Sequence, residues 1–593
     1  MKQHALLSNC RFKWMTPALG FMMLWGGQSI SQDSVVNGER MAADLLPKTL
    51  VAYAEVPRPG NLIDLALDHP MRRTIEAMPA VKAVAQSNNL SQVRHGIAAF
   101  EGSMGRPWNE AISVLTDGGV HLAFDGPTQG AALLIRSSSR DQLERFRSFV
   151  LAISQLGQGN FGIAEQAVYR GFTVYSLGNN AKMVLVDNWF LMTNKPELGK
   201  SIIDRYIDGG DDSFRQSDRF AAVKRSAGQS LLAACVDLQT IRDAGVAPKL
   251  YSGKTDNPAA EAIFGGIVSN LQHAPSIFAT LNIASSGIDL TIASPHLAQW
   301  GNGREYFFGE DGHAQAPPLL NVPDRIFALS AHRDLSQMWL RAPDLMTDKA
   351  NEDLAKADSG LTTFFSGRDF GEDILGSLQP GLQFVVNRQT FNPRSPQPAI
   401  KLPAFAIQFR MLTPEETTRD FRRVFQNVIG FINVVGAMQG QPQLDLGFEQ
   451  SGNATLITTE YVPPKDEQDR TDAAINYNFS PTLAFVDDRM VISSTVALAR
   501  TLVDAKPETA AAQSRPNTIA VLTAAALSGT LNDNKGQLVA QNMLEKGHGP
   551  DQAQAEIGVL FDVLDLFKDL KIELNVQDEQ LKLKTEINLR SDK

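Results

Sequence analysis

Residues 183–204 read MVLVDNWFLMTNKPELGKSIID, and residues 483–504 read LAFVDDRMVISSTVALARTLVD. Val186, Asp187, Leu198 and Asp204 recur as Val486, Asp487, Leu498 and Asp504, each 300 residues later. The apolar positions between them match in kind: Phe190 with Met490, Leu191 with Val491, Met192 with Ile492, Ile202 with Leu502, Ile203 with Val503. Each copy describes a strand, a tight turn at Asp187-Asn188 or Asp487-Asp488, a second strand, and a helix. Asp and Asn suit such a turn because they tolerate left-handed backbone angles, so these acids are read as turn residues and not as catalytic ones.

Working outward, other segments recur in the same order. PKTLVAYA (47–54) resembles PDRIFALS (323–330), each a strand begun by proline and followed by a helix, from Asn61 and from Asp334. WNEAI (108–112) resembles FGEDI (370–374), and GVHLAF (119–124) resembles GLQFVV (381–386). The strands predicted at 131–136 and 404–410 each run into a charged amphipathic helix. One face of the first carries Leu143, Phe146, Val150 and Leu151, and of the second Phe421, Val424, Phe425 and Val428. Both halves close with a helix and a hairpin, at 277–293 and 570–587. The order predicts an α+β fold: two tandem, diverged copies of one unit, each a largely antiparallel sheet covered by helices. The units span 45–296 and 319–590, with a linker at 297–318 rich in Gly, aromatic residues and Pro. The polar stretches 388–398, 463–472 and 505–516 read as insertions.

At 593 residues, 43% hydrophobic and 20% charged, the chain is globular and long enough for several domains. Its first residues read as a signal peptide, 1–31. Lys2, Arg11 and Lys13 form a positive n-region, residues 15–27 a short apolar run, and Ser29 and Ser31 a small-residue site, so cleavage is expected between Ser31 and Gln32. That run is shorter than the roughly 20 apolar residues a membrane helix needs. No later stretch is apolar enough; 424–438 is interrupted by Gln426, Asn427 and Asn433. An exported protein, periplasmic or secreted, is therefore expected. Losing three basic side chains and no acid takes the formal charge from −10 to −13 (52 basic against 65 acidic). Such a chain is poorly suited to phosphate backbones, so nucleic acid is not an expected partner. Of the two cysteines, Cys10 falls in the signal segment, and Cys235, within LLAACVDL (231–238), reads as a small core thiol.

Leu46-Pro47 leading into Leu50-Val51, the helix after Asn61, and residues 186–204 resemble a family of exported bacterial proteins known only as a domain of unknown function. The likeness covers most of the first half and is weaker in the second. It implies export and fold, and no activity or site residues.

The search for chemistry yields no catalytic residue, no cofactor and no metal ligand. GQGNFG (157–162) has dinucleotide-loop spacing, but a helix precedes it and a strand follows, the reverse of the order that places pyrophosphate at a helix N-terminus. Glu310, Asp311 and His313 cluster in the linker, and Asp208, Asp211 and Asp212 in a glycine-containing loop that lacks the spacing of a calcium loop. There is no G-x-S-x-G elbow and no phosphate-cradling lysine loop. The reading is a non-catalytic binding or scaffold protein of the cell envelope, with an unknown envelope ligand or protein as partner and its site at the interface of the halves. A compact nucleophile, base and orienting acid would argue instead for an envelope hydrolase. A long cavity lined by Phe146, Phe149, Leu151, Phe421, Phe425 and Phe431 would argue for a carrier of apolar ligands.

Overall fold

The computed structural model describes residues 40–590 except 79–80, 83–87, 159–165, 178–180, 229, 247, 249–252, 298–299, 301–302, 393–394, 464–471 and 509–514. The signal segment, with Ser31 and Gln32, lies outside the described residues, as do parts of the loops 388–398, 463–472 and 505–516. The fold is mixed α+β with antiparallel strands. Contacts divide it into two compact units, one of residues up to Cys235 with Thr280–Ile288, the other of Val236–Ala279 with Asp289–Arg590.

The first unit carries β1 (Leu50–Val56), β2 (Val120–Asp125), β3 (Gly130–Arg136), β4 (Gln166–Tyr169), β5 (Phe172–Ser176), β6 (Lys182–Val186), β7 (Trp189–Thr193) and β8 (Leu232–Asp237). They pair in the order β8-β1-β2-β3-β7-β6-β5-β4. At the β6–β7 turn Val186 faces Trp189 across two residues, and Asp187 has φ 47°, the left-handed angle its side chain tolerates. Helix Arg140–Gln158 buries one face of this sheet: Phe146 meets Phe190 with ring centroids 5.0 Å apart, beside Met183 and Leu185. Helix Pro196–Asp208 starts on a proline, which suits a first helical turn, and buries Leu198, Ile202 and Ile203. Cys235 is buried on β8. A hairpin of β9 (Ser276–Ala284) and β10 (Gly287–Pro295) follows.

The second unit carries β11 (Arg325–Ala331), β12 (Leu378–Asn387), β13 (Ala404–Met411), β14 (Leu444–Ser451), β15 (Ala454–Tyr461), β16 (Thr482–Val486), β17 (Arg489–Ser493), β18 (Thr518–Thr523), β19 (Phe567–Gln577) and β20 (Gln580–Leu589). Their order is β20-β19-β18-β11-β12-β13-β17-β16-β15-β14. Asp487, at the β16–β17 turn, has φ 52°. Helix Pro414–Met438 covers one face through Phe421 and Phe425, against Phe485 and Met490. Helix Val496–Asp504 covers the other through Leu498 and Leu502, against Val486 and Val491.

The segment expected as a linker is core. Helix Glu305–Phe308 buries Tyr306, Phe307 and Phe308 among Met338, Leu345 and Met346. Its aromatic residues are the reason, since three such side chains bury more apolar area than a solvent-crossing tether could leave exposed.

Candidate functional site

Alternate residues of a strand share a face, so β1 presents Tyr53 and Glu55 together. The β1–β2 register sets His121 directly opposite Glu55, and the β3–β7 register sets Arg136 opposite Trp189. Helix Asp218–Ala227 brings Phe220 and Lys224, one turn apart, to the same place. Ser217 caps this helix by accepting the Phe220 backbone N–H at 3.1 Å. Arg219 ties it to the start of β1, donating to the Lys48 carbonyl at 2.8 Å and to that of Leu50. These side chains line a cavity of about 180 Å³, completed by Met41, Ala42, Ala43, Pro57 and Gly118. The cavity lies wholly within the first unit. Gly118 is required under Arg136: a Cβ there would stand 2.6 Å from the Arg136 Cγ.

A chain of polar groups runs through its wall. The half-exposed Lys224 Nζ donates to Glu55 Oε1 at 2.9 Å. The Tyr53 hydroxyl donates to Glu55 Oε2 at 2.7 Å and lies 3.0 Å from His121 Nδ1. Tyr53, Glu55 and His121 are all buried. The His121 ring also meets the backbone of Gly118. A neutral imidazole has one N–H for the phenol oxygen and the backbone, and only the imidazolium could satisfy both. Burial weighs against the imidazolium, pushing the His121 pKa down to about 4; Glu55 and the Gly118 backbone oppose this and Lys224 reinforces it. Burial, then the neighbouring Glu55, hold the Tyr53 phenol well above its ordinary value. Cations on aromatic faces finish the wall, with the Arg136 guanidinium 5.7 Å from the Trp189 ring and Lys224 Nζ 5.5 Å from that of Phe220.

The Tyr53 phenol of this set is not activated as a nucleophile. A nucleophile needs a lowered pKa or a strong adjacent base. Here the phenol is harder to ionise than in water, its hydrogen is taken by Glu55, and a ring of pKa about 4 is a weak base. Lys224, half-exposed, gives one of its three donors to Glu55.

The second unit carries neutral groups on the corresponding rows of its sheet. Reading across the first sheet gives Glu55, His121, Leu134 and Leu191; reading across the second gives Ser330, Gln383, Gln408 and Val491. Ser330 Oγ donates to the Pro317 carbonyl at 2.6 Å, and Gln408 Nε2 to Gln383 Oε1 at 3.4 Å. Arg489, where the first unit has Trp189, donates to the Leu502 and Val503 carbonyls at 3.2 and 3.0 Å.

The acidic clusters noted in the sequence are not brought together with these groups. Asp208 pairs with Arg170 and Asp212 with Arg205, while Asp211 is exposed. Glu310, Asp311 and His313 are exposed, and Asp311 Oδ1 accepts the His313 backbone N–H at 3.0 Å. Among the described residues no three His, Cys, Asp or Glu side chains converge on a point where a metal ion could sit. Residues 159–162 of GQGNFG lie outside the described residues, between helix Arg140–Gln158 and β4. The aromatic faces are filled: Phe146 and Phe421 pack into cores and Phe149 meets Phe100 at 5.2 Å, whereas Phe431 is exposed. The cavity residues escaped the sequence reading because Lys224 is 169 positions from Glu55, and His121 is 68 from Tyr53. The available signal was Glu55 itself, a carboxylate inside the strand LVAYAEV.

No family model matches this chain, and no curated protein matches it. Among solved structures, crystal form I of TP0453 is similar with a TM-score of 0.24 and 10% identity, over 44% of this chain and 81% of that one. Crystal form III gives 0.24 and 12% over the same shares, and crystal form IV gives 0.22 and 10% over 43% and 79%. Similarity at this level carries no argument about what this chain binds or does.

Proposed function

We propose that this chain is an exported, non-catalytic binding protein of the cell envelope, built from a duplicated α+β unit, whose first copy holds the ligand. The observation that carries the binding reading is the cavity of the first unit, walled by Trp189, Phe220, Ala42 and Ala43 and edged by the half-exposed Lys224, while the hydroxyl in its polar chain is locked onto Glu55. Pockets that bind small molecules have this composition, apolar walls with a few placed polar groups.

The duplication is supported by two alignments, which differ by one residue on the first strand of each unit, where the sequence match sets Ser330 against Ala54 and the rows set it against Glu55. The sequence match pairs Leu191 with Val491, and the sheet registers pair the same two residues at the ends of their rows. Register shifts fall between Leu50 and Ala52 on β1 and between Arg325 and Phe327 on β11. The hydroxyls of Thr193 and Ser493 close the same turn, accepting the backbone N–H of Lys195 and Thr495, each at 3.2 Å. Export rests on the basic n-region and short apolar run of residues 1–31. Among the described residues no helix is long and apolar enough to cross a membrane.

Native mass spectrometry of the protein released gently from its own envelope tests this reading. The expected result is a reproducible added mass that Ala43→Leu, which fills the cavity, abolishes. A bare mass together with turnover of an envelope substrate by the purified chain would overturn it.

A further inference from the structure

We infer that the second unit meets a lipid surface through one apolar tip, built from the last turns of helix Pro414–Met438 and the edge strand β14. This goes beyond the binding reading and does not rest on the cavity. Residues 424–444, between Arg423 and Asp445, carry no charged side chain. Within that stretch Phe431 and Val434 are each 63% exposed and Met438 is 84% exposed, and Gly430, Ile432 and Ala437 are exposed too. At 3.6 residues per turn these positions run about 220° round the helix. Leu446 and Phe448, the latter 61% exposed, extend the patch along β14 on the strand face they share with the buried Leu444. The tip is held in shape by Asn433, whose side chain donates to the Leu444 carbonyl at 2.8 Å and accepts its N–H at 2.7 Å. That amide is engaged within the protein and does not oppose leaving water.

Shape and charge decide what covers it. A rigid partner lies against one side of a helix, whereas a fluid acyl layer closes around an end exposed over more than half its circumference. Behind the tip the helix turns cationic. Arg423 stands eight residues before Phe431, about 12 Å along the axis, which sets it at phosphate level when apolar residues enter the layer by about 5–10 Å. The Arg422 guanidinium lies 5.5 Å from the Phe448 ring, at the edge of the patch. Arg368, Arg419 and Arg423 share two carboxylates, Glu416 and Asp420, and Arg422 adds a further positive charge. Glu415 is at the far end of the helix. On β14, Asp445 and Glu449 alternate to the face opposite Phe448, where Glu449 pairs with Arg500. Surplus arginine beside an uncharged apolar tip complements lipid phosphates over acyl chains. The acidic balance of the whole chain is screened beyond about 8 Å at physiological ionic strength, so the local surplus decides at contact.

The test is flotation of the chain from Gln32 onward, which lacks the apolar run of the signal segment, with vesicles of phosphatidylcholine and phosphatidylglycerol in equal parts. The chain is expected to float with the vesicles. Phe431→Ser and Met438→Ser should each weaken partitioning about tenfold, and Arg422→Gln about fivefold. Leu544→Ser, at an exposed leucine on helix Lys535–Lys546, and Ala43→Leu, in the cavity, should float as the parent chain does. Thermal unfolding of each variant establishes that it is folded, and the exposed positions make a large change in midpoint unexpected. A chain that stays with the free protein overturns the inference, as does flotation that Phe431→Ser and Met438→Ser leave unchanged. A dimer in sedimentation equilibrium that Phe431→Ser dissolves, without flotation, overturns it in favour of a second copy as the cover. Loss of flotation on Ala43→Leu would move the lipid contact to the cavity and overturn it as well.

Discussion

The β1–β2 row of the first unit and the β11–β12 row of the second are built to one register and filled with opposite chemistry. Glu55 faces His121 in one, and Ser330 faces Gln383 in the other. Both pairs are buried and hydrogen-bonded, so both satisfy the requirement that buried polar groups find partners. Only the first can titrate, and only the first borders the cavity described above. The difference teaches that a buried polar pair at this register can be satisfied with charge or without it.

The largest effect that sharpens this comparison is the pH dependence of His121. Its folded pKa of about 4 lies below the ordinary 6.5. Between those values the unfolded chain binds a proton that the folded chain refuses, so stability falls as pH drops from 6.5 to 4 and is unaffected by this group above that window. The loss is about 3 kcal/mol at full extent. His121→Gln, which installs the residue of the second unit, is expected to remove that part of the slope. Urea unfolding at pH 7.5 and 4.5, with hydrogen exchange read on β1 and β2 peptides, measures it. Equal slopes for the two proteins would break the comparison.

Next in size is Glu55→Ser, the other half of the same exchange. It strips Lys224 of its partner and the Tyr53 hydroxyl of its nearer acceptor, although that hydroxyl can turn to His121 Nδ1 at 3.0 Å. A cost of about 2 kcal/mol is expected, below that of a fully buried ion pair because Lys224 is half-exposed. The reverse probe, Ser330→Ala, removes the neutral bond to the Pro317 carbonyl and should cost about 1 kcal/mol. Were the two costs equal, the charge on Glu55 would add nothing to the neutral pattern.

Legibility in the sequence divides along the same line. The hairpins, the helices after them and the alternation of buried residues follow from period and turn chemistry, which are local. Asp187 and Asp487 were readable as turn residues because a left-handed angle suits few side chains, and both have one. The cavity was not readable. Its groups come from β1, β2, β3, β7 and helix Asp218–Ala227, and their meeting depends on strand order and register, which no local pattern encodes. The aromatic run of residues 306–308 misled for a related reason: beside glycines and prolines it read as linker, but its side chains fill a core.

The smallest prediction concerns the two hairpin turns at Asp187 and Asp487. Glycine adopts a positive φ without the strain an aspartate bears, so Asp→Gly at such a position trades relief of strain against any bond the side chain made. Asp487, with φ 52°, makes no side-chain hydrogen bond among the described residues, and Asp487→Gly should be neutral or stabilise by about 0.5 kcal/mol. Asp187, with φ 47°, accepts the Tyr206 hydroxyl, whose pKa is pushed up to about 12, chiefly by burial and then by that bond. Asp187→Gly loses this contact, and its net effect should fall about 0.5–1 kcal/mol below that of its counterpart. Thermal unfolding of the two variants side by side measures the gap. If Asp187→Gly proved the more stabilising of the two, the Tyr206 bond would hold nothing, and the two turns would be energetically alike despite their different surroundings.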